Sequence, residues 1–239
     1  MNFLNKLEKK YRKYAIPNLM YYIVMLYGAG LVIQLFAPMA YWRFLSLDIG
    51  ALMHGQIWRL VTFIIYPPTM GTFVFDSVFF GIISLFLYYS LGVTLERVWG
   101  AFRFNVFFLM GMVGEILAAL VSYFVFHQNL YVTTGFLNFS LFLAFAICFP
   151  DVQFYLFMVI PVKAKWMAIA ESAVYVYSFL VGSASTRCEI VLSLANVILF
   201  FLMTRNYRRY APKEIKRLQE FKQQAKIVVP GKTRHRCAV

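Results

Sequence analysis

Apolar residues fill the middle of this chain in six blocks of about 17 to 25 residues, divided by short polar or Gly/Pro-containing breaks. The blocks run Ile16–Ala37, Thr72–Leu95, Phe102–Phe126, Tyr131–Phe149, Lys165–Gly182 and Cys188–Thr204. A helix needs about 20 apolar residues to cross a bilayer, so the pattern predicts six membrane-spanning helices, the fifth and sixth at the short limit. The first block is too long for the apolar region of a secretory signal and reads as a retained helix. Two shorter pieces stand apart. Pro38–Pro68 mixes apolar residues with Asp48, His54, Gln56 and Arg59, which predicts short interfacial helices or a half-inserted loop. Phe154–Ile160 is too short to span and is left unassigned.

The ends are different in kind. Basic residues crowd before Ile16 and after Thr204, and Ile215, Leu218 and Phe221 recur at helical spacing in the tail. The expected organisation is a basic cytoplasmic N-terminus (1–15), a six-helix membrane domain (16–205) and a basic tail (206–239) that rests on anionic headgroups. With six spans, both ends face the cytoplasm. Of the 23 Lys and Arg, 20 then lie inside and three, Arg43, Arg59 and Arg187, outside, as the positive-inside rule requires.

Composition strengthens this picture. The chain is 62% hydrophobic and 14% charged, which excludes a disordered chain and an ordinary soluble enzyme. The net charge of +13 belongs to the two ends, so it points to lipid headgroups and not to nucleic acid. Three scattered cysteines make no disulfide framework, and Cys148 reads as a small apolar residue within a span.

Candidate chemistry is sparse. Intramembrane acids are costly and usually retained for a reason. Asp76 and Glu171 lie near predicted helix ends, where snorkelling accounts for them. Glu115 sits mid-span beside Gly111 and Gly114, either hydrogen-bonded between helices or part of an ion path. His54, His127 and His235 are scattered and cannot build an intramembrane metal site. Ser140 and Ser193 lie in spans without a neighbouring His or Lys. Trp58 is expected to anchor the first loop at the outer interface. Arg59 must find carbonyls or a carboxylate, or snorkel to headgroups.

Four pieces stand in an unusual order: Gly55 to Thr62 with Trp58-Arg59, Leu91 to Gly100 with Gly92, Glu96 and Gly100, Phe149-Pro150, and Pro161 to Trp166 with Lys165. Together they resemble the rhomboid superfamily, the intramembrane serine proteases and their catalytically inactive, derlin-like relatives. The resemblance covers about residues 16–205. It implies an all-α, six-helix rhomboid-like bundle with a membrane-dipped first loop and a short central fourth helix. The protease residues are replaced. Leu137 stands where the nucleophile would fall, the sixth block has no His, and Phe80 and Ser84 occupy the oxyanion positions sixteen and twelve residues before Glu96. The resemblance further implies that His235 and Cys237 begin a zinc ribbon cut off at Val239, with no metal held by this chain.

The expectation is therefore a non-catalytic rhomboid-like pseudoprotease of the cytoplasmic membrane, from a bacterium, without cofactor. It would bind transmembrane clients or perturb the bilayer locally. Two alternatives stay open: an active intramembrane protease with displaced residues around Ser140, and a small transporter or ion pathway using Asp76, Glu115 and Glu171.

Overall fold

A computed structural model describes residues 3–66, 74–129, 132–156 and 160–204. Of these, 82% are helical, which places the chain in the all-α membrane class. An N-terminal helix α1 (Phe3–Tyr11) precedes α2 (Leu19–Phe36). The first loop folds as single turns: α3 (Pro38–Ala40), a π-turn at Tyr41–Leu45, α4 (Ile49–Met53), α5 (Arg59–Thr62) and a 3-10 turn at Phe63–Ile65. Then come α6 (Val74–Trp99), α7 (Ala101–Phe126), α8 (Gly135–Cys148), strands β1 (Gln153–Leu156) and β2 (Ile160–Lys163), α9 (Ala164–Val181) and α10 (Ala184–Thr204).

Four of these helices are long and apolar enough to cross a membrane among the described residues: α2, α6 from Phe79, α7 and α10. The expectation of six spans is met only in part, for a physical reason at each missing one. With 14 residues α8 reaches about 21 Å, short of a hydrocarbon core of about 30 Å. The 18 residues of α9 are diluted by Lys165, Glu171 and several Ser and Tyr. Nine of the α8 residues are buried, including Leu137, Phe139, Phe142 and Phe145, so this helix is wrapped by protein on all sides.

Small residues set the helix approaches. An added Cβ at Gly81 would lie 2.5 Å from Leu31, and one at Gly92 would lie 2.2 Å from Met20. These contacts are eleven residues apart on each helix, so α2 and α6 run antiparallel in tight contact over three turns. On the next pair, Gly111 of α7 faces Asn196 of α10, and Ser122 faces Ser185, which is again an antiparallel register. One end of the bundle is closed by rings: Trp99 stacks 4.5 Å from Phe200 and 5.4 Å from Phe107, centroid to centroid.

Three features depart from the expectations. The piece Phe154–Ile160 contributes to an antiparallel hairpin, with Gln153 opposite Lys163 and Tyr155 opposite Pro161. Both strands are edges, where a proline is tolerated. The N-terminus is more than a charged tail, because α1 buries Leu4 to 1% and Glu8 bridges Arg103 of α7 at 3.0 Å. The last helix begins four residues before the expected Cys188. The Ser183 hydroxyl accepts the Thr186 N–H at 3.3 Å, a capping start that places Cys188 and Glu189 in the second turn of α10 instead of at its first residues. The tail, with His235 and Cys237, lies outside the described residues.

Candidate functional site

The first loop is built around Arg59. The one-turn helix α5 turns its side chain inward, leaving it 3% exposed. Its Nη1 donates to Ser46 O at 2.7 Å, its Nε to Gln56 Oε1 at 2.7 Å, and its Nη2 to Arg43 O. A planar fork with five donors suits this spread of acceptors. Thr62 Oγ1 adds a bond to Leu45 O at 3.0 Å. Trp58 lies half exposed with Nε1 donating to Phe44 O at 3.1 Å, the ring out and the polar atom satisfied.

This loop is tied to the segment before α8. Leu47 bridges Val132, the Tyr41 hydroxyl donates to Val132 O at 3.4 Å, and Asp48 caps α4 while accepting from Asn129 Nδ2 at 2.8 Å. Thr134 donates to Tyr66 O at 2.8 Å.

The residues at the end of α6 act at the opposite end of the bundle. Glu96 Oε1 accepts the Asn18 N–H at 2.7 Å, just before α2. Gly92 admits Met20, and Gly100 takes a positive φ of 84° to turn the chain from α6 into α7. Gly92 and Glu96 therefore act as one helix face that seats α2. Lys165 and Lys163 both reach Asp151 at 3.3 Å and pin the hairpin base, holding the Asp151 carboxyl below the usual carboxylate range. Trp166, at the start of α9, is 58% exposed. Pro161 pairs with Tyr155 within the hairpin. The four motif segments thus fall at two ends of the molecule.

At the centre, Leu137 sits in the first turn of α8, 2% exposed, and fills the notch over Gly111. The nearby hydroxyls are committed to carbonyls: Ser140 donates to Leu137 O at 2.7 Å and Ser193 to Phe136 O at 2.8 Å. Ser84 donates to Phe80 O at 2.8 Å within its own helix. The Asp76 side chain lies outside what the structure describes, and Glu171 is partly buried on α9. No group of three or more His, Cys, Asp or Glu side chains that could hold a metal occurs among the described residues.

Glu115 is 4% exposed on α7, one turn from Gly111, over which Leu137 of α8 packs. Across the seam, Glu189 of α10 is 7% exposed and close enough to interact with it electrostatically. These two belong to facing stripes. On α7 the stripe reads Gly111, Glu115, Ala118, Ser122; on α10 it reads Ser185, Glu189, Ser193, Asn196. At one end of this seam Ser122 donates to Ser185 at 2.7 Å, and Ser185 donates to Gln128 Oε1 at 2.6 Å. Sequence reasoning missed Ser185, Glu189 and Asn196, although with Ser193 they recur at spacings of four, four and three residues, a helical-face signal. No family model, no curated protein and no solved structure matches this chain.

Proposed function

We propose that this chain is a non-catalytic, rhomboid-like membrane protein that holds transmembrane segments of other proteins, in the orientation with both ends in the cytoplasm. The observation that carries this reading is the start of α8. The position that the resemblance assigns to a nucleophile is Leu137, packed into the Gly111 notch, and the neighbouring hydroxyls of Ser140 and Ser193 are bonded to backbone carbonyls. A hydroxyl held this way, with no base beside it, lacks activation.

A role in the bilayer is supported by the surface. The first loop exposes Phe44, Met53, Ile57 and Val61, each by half or more, around its arginine-centred turn. Such a surface is stable in an apolar layer and costly in water. With a short α8 and a marginal α9, it favours local thinning of the lipid and contact with imperfectly apolar helices. The basic tail would add anionic headgroups as partners, and neither a cofactor nor nucleic acid enters this reading.

The test is photocrosslinking from benzoylphenylalanine placed on each lipid-facing helix in native membranes, followed by mass spectrometry. Discrete membrane-protein adducts are expected, and lipid adducts at every position overturn client binding. Fluorophosphonate labelling of the purified protein is expected to be absent. Labelling lost in Ser140→Ala or Ser193→Ala would restore the protease alternative. The facing acids Glu115 and Glu189 favour a second reading, an ion pathway, which flux measurements in liposomes with Glu115→Gln decide.

A further inference from the structure

The N-terminal helix has two faces with different work. Its inner face lies against α7 and α10 with Leu4 buried, and there Glu8 and Asn5 both accept from the Arg103 guanidinium, at 3.0 and 3.1 Å. Glu8 is the one acid in the first 18 residues, and this bridge engages it. Lys6, Lys9 and Lys10 stand three and four residues apart, so they share the outer face. All three are exposed, as are Arg12 and Lys13 in the 3-10 turn Arg12–Tyr14 that follows. None of these cations is in an ion pair among the described residues. Rings alternate with them: Lys10 Nζ lies 5.3 Å from the centroid of Tyr11, and Lys13 Nζ 4.9 Å from that of Tyr14, which is 69% exposed. Ile16 is also exposed, and only Pro17 and Asn18 separate it from α2, where the Asn18 N–H is held by Glu96 at the end of α6.

We propose that the segment from Lys6 to Ile16 docks on a membrane surface of anionic phospholipid, its cations on the phosphates and the side chains of Tyr14 and Ile16 at the acyl edge. The charge match is direct, because the chain offers these cations no carboxylate of its own and an anionic leaflet attracts basic residues that flank a span. The tether to α2, a helix long and apolar enough to cross a membrane, keeps the segment at the bilayer boundary. A soluble anion or a nucleic acid matches the cations but gives Ile16 no apolar layer, whereas a tyrosine ring at a headgroup boundary keeps its body in the apolar zone and its hydroxyl in water. The inference is independent of client binding and concerns residues other than those of the basic tail. Because the opposite face of α1 is bonded to Arg103, headgroups held by the outer face also hold the start of α7 in place.

The experiment places the full chain in lipid nanodiscs of phosphatidylcholine, alone or with phosphatidylglycerol as about a third of the lipid, and follows amide hydrogen exchange in peptides from the α1 segment. Each cation at an anionic surface contributes about fivefold, so the α1 amides are expected to exchange at least about tenfold more slowly with phosphatidylglycerol present. Replacing Lys6, Lys9 and Lys10 by Gln, together with Arg12→Gln and Lys13→Gln, should abolish the slowing, as should about 0.5 M salt. Tyr14→Ser with Ile16→Ser should reduce it about threefold, and Arg208→Gln with Arg209→Gln in the tail should leave it unchanged. Exchange in phosphatidylcholine alone qualifies each variant, and the salt titration of the wild type carries the test if a variant loosens α1 there. Equal exchange in the two lipids overturns the proposal, and so does slowing that survives the Gln substitutions or high salt. Equal slowing by inorganic phosphate or by RNA added to phosphatidylcholine discs assigns the segment to a soluble anion or a nucleic acid and overturns it too.

Discussion

Replacing Arg59 isolates the device that shapes the first loop. Arg59→Ala strands Ser46 O, Arg43 O and Gln56 Oε1 in a region where the side chain was 3% exposed. A hydrogen bond to a charged group contributes about 1.5–3 kcal/mol, and losses within one network do not add, so the expected cost is about 3 kcal/mol. For a chain of this size that is a fall of about 6–12 °C in melting temperature. Arg59→Lys is the informative variant. An ammonium on a flexible stem can serve one of the carbonyls but not the spread of three acceptors, so it should recover less than half of the loss. The assay is thermal unfolding in detergent, with membrane insertion measured separately and expected to be unchanged. If Arg59→Lys melts within about 2 °C of the wild type, the fork geometry is irrelevant and the first loop is held by something else.

Gly92→Ala should destabilise the protein by about 1–3 kcal/mol through collision with Met20, and it should couple to Met20→Ala in a double-mutant cycle, the pair costing less than the two separately. Acid should loosen the hairpin: the Asp151 carboxyl is held below its ordinary range by Lys165 and Lys163, so its contribution is present above the ordinary carboxylate pKa and fades as pH falls through the lowered value. Proteolysis of the hairpin at falling pH reads this, and Asp151→Asn or about 0.5 M salt should flatten the dependence. For topology, a cysteine at Ser183 in a Cys188→Ser background should react with an impermeant maleimide from outside, while Cys237 reacts only after permeabilisation; the reverse order refutes both ends inside.

The elements legible in the sequence were those written in a contiguous run of residues. The spans α2, α6, α7 and α10 are long apolar stretches, and a bilayer imposes their length directly. Trp58-Arg59 announced a loop too polar to span, and its inward-turned arginine follows from the need to satisfy a guanidinium away from water. What was not legible depends on partners distant in the chain. The role of α1 needs α7, because only Arg103 explains Glu8. The hairpin needs Asp151 against two lysines and the rings of Phe142 and Phe145 under Phe154. Glu189 lies at the very start of the sixth apolar block, and only the cap at Ser183, which begins α10 four residues earlier, sets it within the stripe that faces Glu115.

The seat of α1 also constrains how the molecule is made. This first helix docks on α7 and on α10, the last described helix, so the surface that receives Leu4 is incomplete until nearly the whole chain has left the ribosome. At ordinary synthesis rates, about 10–40 s separate the emergence of Leu4 from that of Phe200. For that interval the N-terminal segment has an apolar residue without a site, and α1 completes its docking only after α10 has emerged.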